Sequence, residues 1–90
     1  MYEVIITKQM LKKMKGLPRS VKEKLVVLIT EIEKNGPVRG NWKNYGKLSP
    51  TEHHCHLKSG RPTYVVCWRT KVLKVEIEVY YVGTHEKAPY

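Results

Sequence analysis

Histidines occur in only two places in this sequence: His53, His54 and His56 lie close together in mid-chain, and His85 stands near the closing Tyr90. Imidazole exchanges protons near neutral pH more readily than any other side chain. If residues 52–58 (EHHCHLK) form a strand, alternation sends His54 and His56 to one face and turns His53 to the other with Cys55 and Leu57. Cleaving RNA without a metal requires a base to take the proton of the ribose 2′-hydroxyl. It also requires an acid to protonate the departing 5′-oxygen, and a cation to brace the crowded phosphorane. The imidazoles can fill the first two roles, and Arg61 or nearby lysines the third. His56, His85, His54 and Arg61 are therefore candidate catalytic residues, and no cofactor is needed.

Other readings of the same residues stay open. His54 and His56, two apart on a strand, are spaced to chelate zinc, but no third ligand follows at an obvious spacing, and no metal is expected. They also fit as plain polar surface. A hairpin pairing symmetrically about Gly60 would put Tyr64, Val66 and Trp68 on the same face as His54 and His56. Bases stack on aromatic rings and cations hold phosphates, which makes Tyr64, Lys58, Trp68 and Arg69 the candidate RNA-binding residues. Tyr64, Trp68 and Tyr80 are of types that more often pack than serve as platforms for bases.

Seventeen Lys and Arg against eight Asp and Glu give the 90-residue chain a net charge of +9. So strong a field on so small a surface favours a polyanionic partner, either nucleic acid or an acidic protein. At 41% hydrophobic and 28% charged residues the chain is of globular composition, and its length suits one domain over 1–90. Val4-Ile5-Ile6 and Leu25 to Ile29 are the longest apolar runs, far short of the ~20 residues of a membrane span. The start Met1-Tyr2-Glu3-Val4 lacks the pattern of a secretory signal, so the cytoplasm is the expected compartment. Cys55 and Cys67 have no zinc-like spacing and read as two reduced, buried thiols.

The elements that must position these groups follow from periodicity. Residues 2–7 are β-rich. Thr7 can cap a short basic helix over 8–15 that stops at Gly16. Ser20 and Glu23 have the spacing of a capping box, and Val21, Leu25, Leu28, Ile29 and Ile32 form one helical stripe that ends at Asn35-Gly36-Pro37. Residues 38–50 read as irregular. Then 52–58 and 63–69 make a hairpin around Ser59-Gly60-Arg61-Pro62. A last strand, about 73–82, alternates Leu73, Val75, Ile77, Val79 and Tyr81 against Lys74, Glu76, Glu78 and Tyr80. The expected fold is α+β, in the order β-α-α-β-β-β: an antiparallel sheet with both helices packed on one face and the other face open.

Gly40-Asn41-Trp42, Cys55-His56-Leu57 and Gly83-Thr84-His85, with a closing aromatic, resemble the RelE/ParE toxin superfamily, and most of all its YafQ-like branch. The resemblance extends over essentially the whole chain. It implies the toxin of a type II toxin–antitoxin system: a cytoplasmic endoribonuclease that enters the ribosomal A site, cuts mRNA there and is restrained by a cognate antitoxin protein. By motif, His56 matches the branch's strand histidine, His85 its histidine near the carboxyl end, Tyr90 its terminal aromatic and Tyr64 the aromatic after the turn; the resemblance thereby makes Tyr90 the fifth candidate catalytic residue. The chain departs from the branch at Tyr81, where a basic residue is usual. It departs again at Gly36-Pro37-Val38-Arg39, where a histidine is usual. Arg61, Arg69 and Arg39 are the candidate replacements for the missing cation. Two other functions fit the same resemblance: a ParE-like binder of DNA gyrase without nuclease chemistry, and a decayed RNA-binding relative.

Overall fold

A computed structural model describes residues 1–71 and 75–90 of the chain. Strand β1 (Glu3–Ile6) leads into helix α1 (Lys8–Lys15). There Thr7 Oγ1 accepts the Met10 N–H at 3.2 Å, satisfying a donor that a helix start leaves unpaired. Lys12, Lys13 and Lys15 in the last turn sit at the favourable, negative end of the helix dipole.

Helix α2 (Arg19–Asn35) starts one residue before the expected capping box. Pro18, with its ring-fixed φ, is the N-cap, and its carbonyl accepts the N–H groups of Val21 and Lys22. The Ser20 hydroxyl, freed from capping, accepts a hydrogen bond from Lys58 Nζ at 3.1 Å. The helix stops at Gly36, whose φ of 95° puts it where a side chain is strained.

The remaining strands are a two-residue β2 (Gly46–Lys47), β3 (Glu52–Lys58), β4 (Tyr64–Thr70) and β5 (Glu76–Thr84), followed by one 3-10 turn over His85–Lys87. They form a five-stranded sheet in the order β1-β5-β4-β3-β2. The expected antiparallel sheet is in fact mixed: β1 runs parallel to β5, with Val4 opposite Ile77 and Ile6 opposite Val79. Strand β2, in the stretch expected to be irregular, pairs antiparallel with β3 through Gly46–His54 and Lys47–His53.

Both helices lie on one face of the sheet. Val21, Leu25, Leu28 and Ile32 of α2 are fully buried, against Cys55 and Leu57 of β3, Val66 and Trp68 of β4, and Ile77, Val79 and Val82 of β5. Truncating such a residue, Leu25 for example, costs about 2–5 kcal/mol. Two irregularities change the expected faces. The β3–β4 register shifts between His56 and Lys58, so His53 opposes Trp68 and Cys55 opposes Val66. Trp68 and Val66 therefore belong to the helix-side core and not to the histidine face. The β4–β5 register shifts between Cys67 and Trp68, so Cys67 opposes Tyr81 while Trp68 opposes Val79. The bulge passes the core position from Val79 to Val82 and turns Tyr81 to the far face. Of the residues expected in the last strand, Leu73 and Lys74 fall outside the described residues, and Val75 precedes the strand and is exposed.

The face away from the helices is not fully open. Val65 and Cys67 are 0% exposed yet lie outside the helix-side core; they pair with His56 and His54, against whose rings His85 and Tyr90 fold back. Cys55 and Cys67 are both free and buried, and burial pushes each thiol up to about 12. Among the described residues no helix is long and apolar enough to cross a membrane.

Candidate active site

Pairing of β3, β4 and β5 sets the site. On the far face His56 opposes Val65, which opposes Gly83, and His54 opposes Cys67, which opposes Tyr81. Past the end of β5, the His85 N–H donates to the Thr63 carbonyl at 2.8 Å, which ties the 3-10 turn to the base of the hairpin. The imidazoles of His56 and His85 thereby meet edge to face, with centroids 5.5 Å apart at 68°. Tyr90 returns across the sheet, 4.6 Å from the His54 ring and 5.9 Å from that of His85. Four of the five candidate catalytic residues thus form one cluster.

The fifth, Arg61, lines a groove of about 530 Å³ together with His56, Thr63, Thr84 and His85. The other candidate cations are engaged elsewhere. Arg39 Nη1 is 3.3 Å from Glu31. Arg69 lies 3.6 Å from Glu78 and 4.0 Å over the ring of Tyr80. Of the candidate RNA-binding residues, Lys58 is exposed and bonded to Ser20, and Tyr64 is half-buried against the core. Trp68 is fully buried and donates its indole N–H to the Pro37 carbonyl at 3.0 Å. It has no face to offer a base, which overturns the sequence expectation for that residue.

His53 is a core residue. It is 2% exposed, stacks on Trp68 at 5.7 Å and lies 2.7 Å from the Tyr45 hydroxyl through Nδ1. Burial holds its pKa below the ordinary value, which keeps it neutral. His54 and His56 are also held low, first by burial and then by the charge of His85. His54 and Lys43 add to the effect on His56. Both rings are therefore unprotonated near neutral pH, the state that can accept a proton. Nδ1 of His54 is buried without a hydrogen-bond partner among the described residues. Among the described residues no three His, Cys, Asp or Glu side chains come together as metal ligands.

Two residues that touch the cluster, and a third that anchors the loop beside it, were not singled out by sequence reasoning. Asn44, at a φ of 54°, places its amide nitrogen 3.4 Å from both ring nitrogens of His56. A Cβ on Gly46 would stand 3.1 Å from His54 Nε2, so the glycine makes room for that ring. Glu31 accepts from Trp42 Nε1 at 2.8 Å, Asn41 Nδ2 at 2.9 Å and Arg39 Nη1 at 3.3 Å. Those bonds, led by Asn41, hold its carboxyl below the usual carboxylate value. The Asn44-Tyr45-Gly46 stretch carries turn residues, a visible but unspecific signal, whereas Glu31 on a scaffold helix gave none.

No family model matches the chain, and no curated protein does. Solved structures do. A doubly substituted variant of the E. coli toxin RelE in the free state shares 22% identity at a TM-score of 0.71, over 94% of this chain and 84% of that one. The chain has the RelE fold. The archaeal RelE–RelB complex from Pyrococcus horikoshii matches at 17% identity and a TM-score of 0.69, over 97% of this chain and 98% of that one. The intact E. coli RelBE toxin–antitoxin complex matches at 20% identity and a TM-score of 0.66, over 93% and 96% of the two chains. The RelE fold therefore extends over nearly the whole of this chain, with His56, His85 and Tyr90 set on its far face.

Proposed function

We propose that this protein is the toxin of a type II toxin–antitoxin system and acts as a ribosome-dependent mRNA endonuclease of the YafQ-like kind. The observation that carries the reading is the meeting of His56 and His85 at the rim of a groove that also holds Arg61, on a chain of net charge +9. His56, held neutral, takes the proton of the ribose 2′-hydroxyl, and the oxygen attacks the adjacent phosphorus. The exposed His85 gives a proton to the departing 5′-oxygen. Arg61 braces the phosphorane. The products are a 2′,3′-cyclic phosphate and a 5′-hydroxyl, and no metal or cofactor enters. Tyr90 and His54 pack beside the two proton carriers and restrict their movement. The RelE–RelB architecture of two of the structural neighbours supports a cognate antitoxin as the restraining partner, and the A site of a cytoplasmic ribosome is the place of action.

Induction of the wild type and of His85→Ala in growing cells tests this. The wild type is expected to arrest growth and leave codon-spaced mRNA ends; the variant is expected to do neither. Equal toxicity from the two proteins, or DNA damage with mRNA intact, would contradict the nuclease reading, and the latter result would favour a gyrase inhibitor.

A further inference from the structure

His56 borders two grooves. Beyond the one that holds Arg61 and His85, a second of about 560 Å³ runs between α2 and the β3 end of the sheet. Its walls carry Lys24, Lys43 and Lys58. Lys24 and Lys43 are exposed and make none of the ion pairs found among the described residues. Lys24, Val27 and Glu31 lie on one face of α2 at helical spacing, and Val27 leaves an apolar surface 51% exposed between the lysines. The one carboxylate in the groove, Glu31, is already engaged by Arg39, Asn41 and Trp42, which leaves the field positive. Lys43 is fixed at the junction, because its carbonyl accepts the His56 N–H at 2.8 Å.

We propose that this second groove is a binding subsite for single-stranded RNA, continuous with the histidine groove, in which Lys24 and Lys43 hold phosphates that flank the one at His56. The proposal rests on the nuclease reading for the phosphate placed at His56, but not for the binding of RNA by the lysines. Phosphates on the lysine side and a base against Val27 and Trp42 match the mix of cations and apolar surface that single strands take. An acidic protein segment would meet the same lysines but would have no need of continuity with His56.

The test uses the full chain carrying His85→Ala, so that RNA stays intact, with labelled short and longer oligouridylates read by fluorescence anisotropy. Lys24→Glu and Lys43→Glu are expected to weaken the longer oligonucleotide roughly tenfold each and to lower the salt slope by roughly 0.7 per lost phosphate contact. The short oligonucleotide, which spans only the histidine groove, is expected to lose less. Lys8→Glu, outside both grooves, controls for bulk charge. Unchanged affinity and slope, an equal loss in Lys8→Glu, or no RNA binding at all would overturn the subsite. So would RNA affinity that survives while capture of a co-expressed acidic protein is lost. A wild type that binds through these lysines without cleaving keeps the subsite and removes the nuclease; one that cleaves with binding indifferent to them does the reverse.

Discussion

His56 and His85 stand edge to face with ring centroids 5.5 Å apart, one on a mid-chain strand and the other in the turn after the last strand. Only the lateral order of β3, β4 and β5, with the His85 N–H latched to Thr63, brings them together. Replacing either ring by alanine is expected to slow cleavage by about 10²–10⁴-fold. The double variant is expected to be little worse than the singles, because the two rings act on one proton circuit. His85 is exposed and carries no core packing, so thermal melting of His85→Ala is expected to match the wild type. Rates on programmed ribosomes, measured beside melting curves, check both statements.

Gly46 lies under the His54 ring, where an added Cβ would be 3.1 Å from Nε2. Gly46→Ala is expected to push His54 toward Tyr90 and disturb the neighbouring rings, lowering the cleavage rate about tenfold or more at little cost in stability. Gly36 provides the contrast. Its φ is 95° and a Cβ there would meet the Tyr2 ring at 2.9 Å, so Gly36→Ala is expected to cost about 1–3 kcal/mol of stability through backbone strain and overpacking. Denaturant titration with paired rate measurements separates the two effects.

Much of the fold was legible in local pattern. The stripe of Val21, Leu25, Leu28 and Ile32 specified α2, and the alternation of His53, Cys55 and Leu57 against His54 and His56 specified which histidines face away from the helices. What could not be read was the register. A bulge after His56 moves Trp68 and Val66 into the core, and a second at Tyr80 turns Tyr81 outward; neither leaves a mark in residue type. The parallel seating of β1 beside β5 joins the two ends of the sequence, and no local pattern encodes it. Asn44, Gly46 and Glu31 act through contacts with residues distant in sequence, so their importance appears only once the sheet is assembled.

The core imidazole of His53 predicts how stability depends on pH. Burial holds its folded pKa below the ordinary 6.5, so the unfolded chain takes up a proton first as pH falls. Stability is thus complete above about 6.5 and is lost progressively below it, down to the folded value. His54 and His56, shifted in the same direction, act in the same window. The melting temperature is expected to fall on acidification from neutral pH to the depressed folded values. A His53→Phe variant is expected to lose part of that dependence. A melting temperature that rises on acidification would contradict the assignment of a neutral core imidazole.

Glu31 anchors the Arg39–Trp42 segment through three donors. Glu31→Ala leaves the Trp42 indole without its acceptor and is expected to cost about 1–3 kcal/mol, with a change in tryptophan fluorescence as the segment loosens. An unchanged spectrum and unchanged stability would show that the segment is held by other contacts.

The chemistry of the cut ends tests the histidine mechanism most directly. Purified protein is added to ribosomes stalled on a defined mRNA, and the fragments are examined for their terminal groups. The expected result is a 2′,3′-cyclic phosphate on the upstream fragment and a 5′-hydroxyl on the downstream one, both absent with His56→Ala and His85→Ala. Fragments bearing a 5′-phosphate, or cleavage undiminished in both variants, would contradict proton transfer between these two rings.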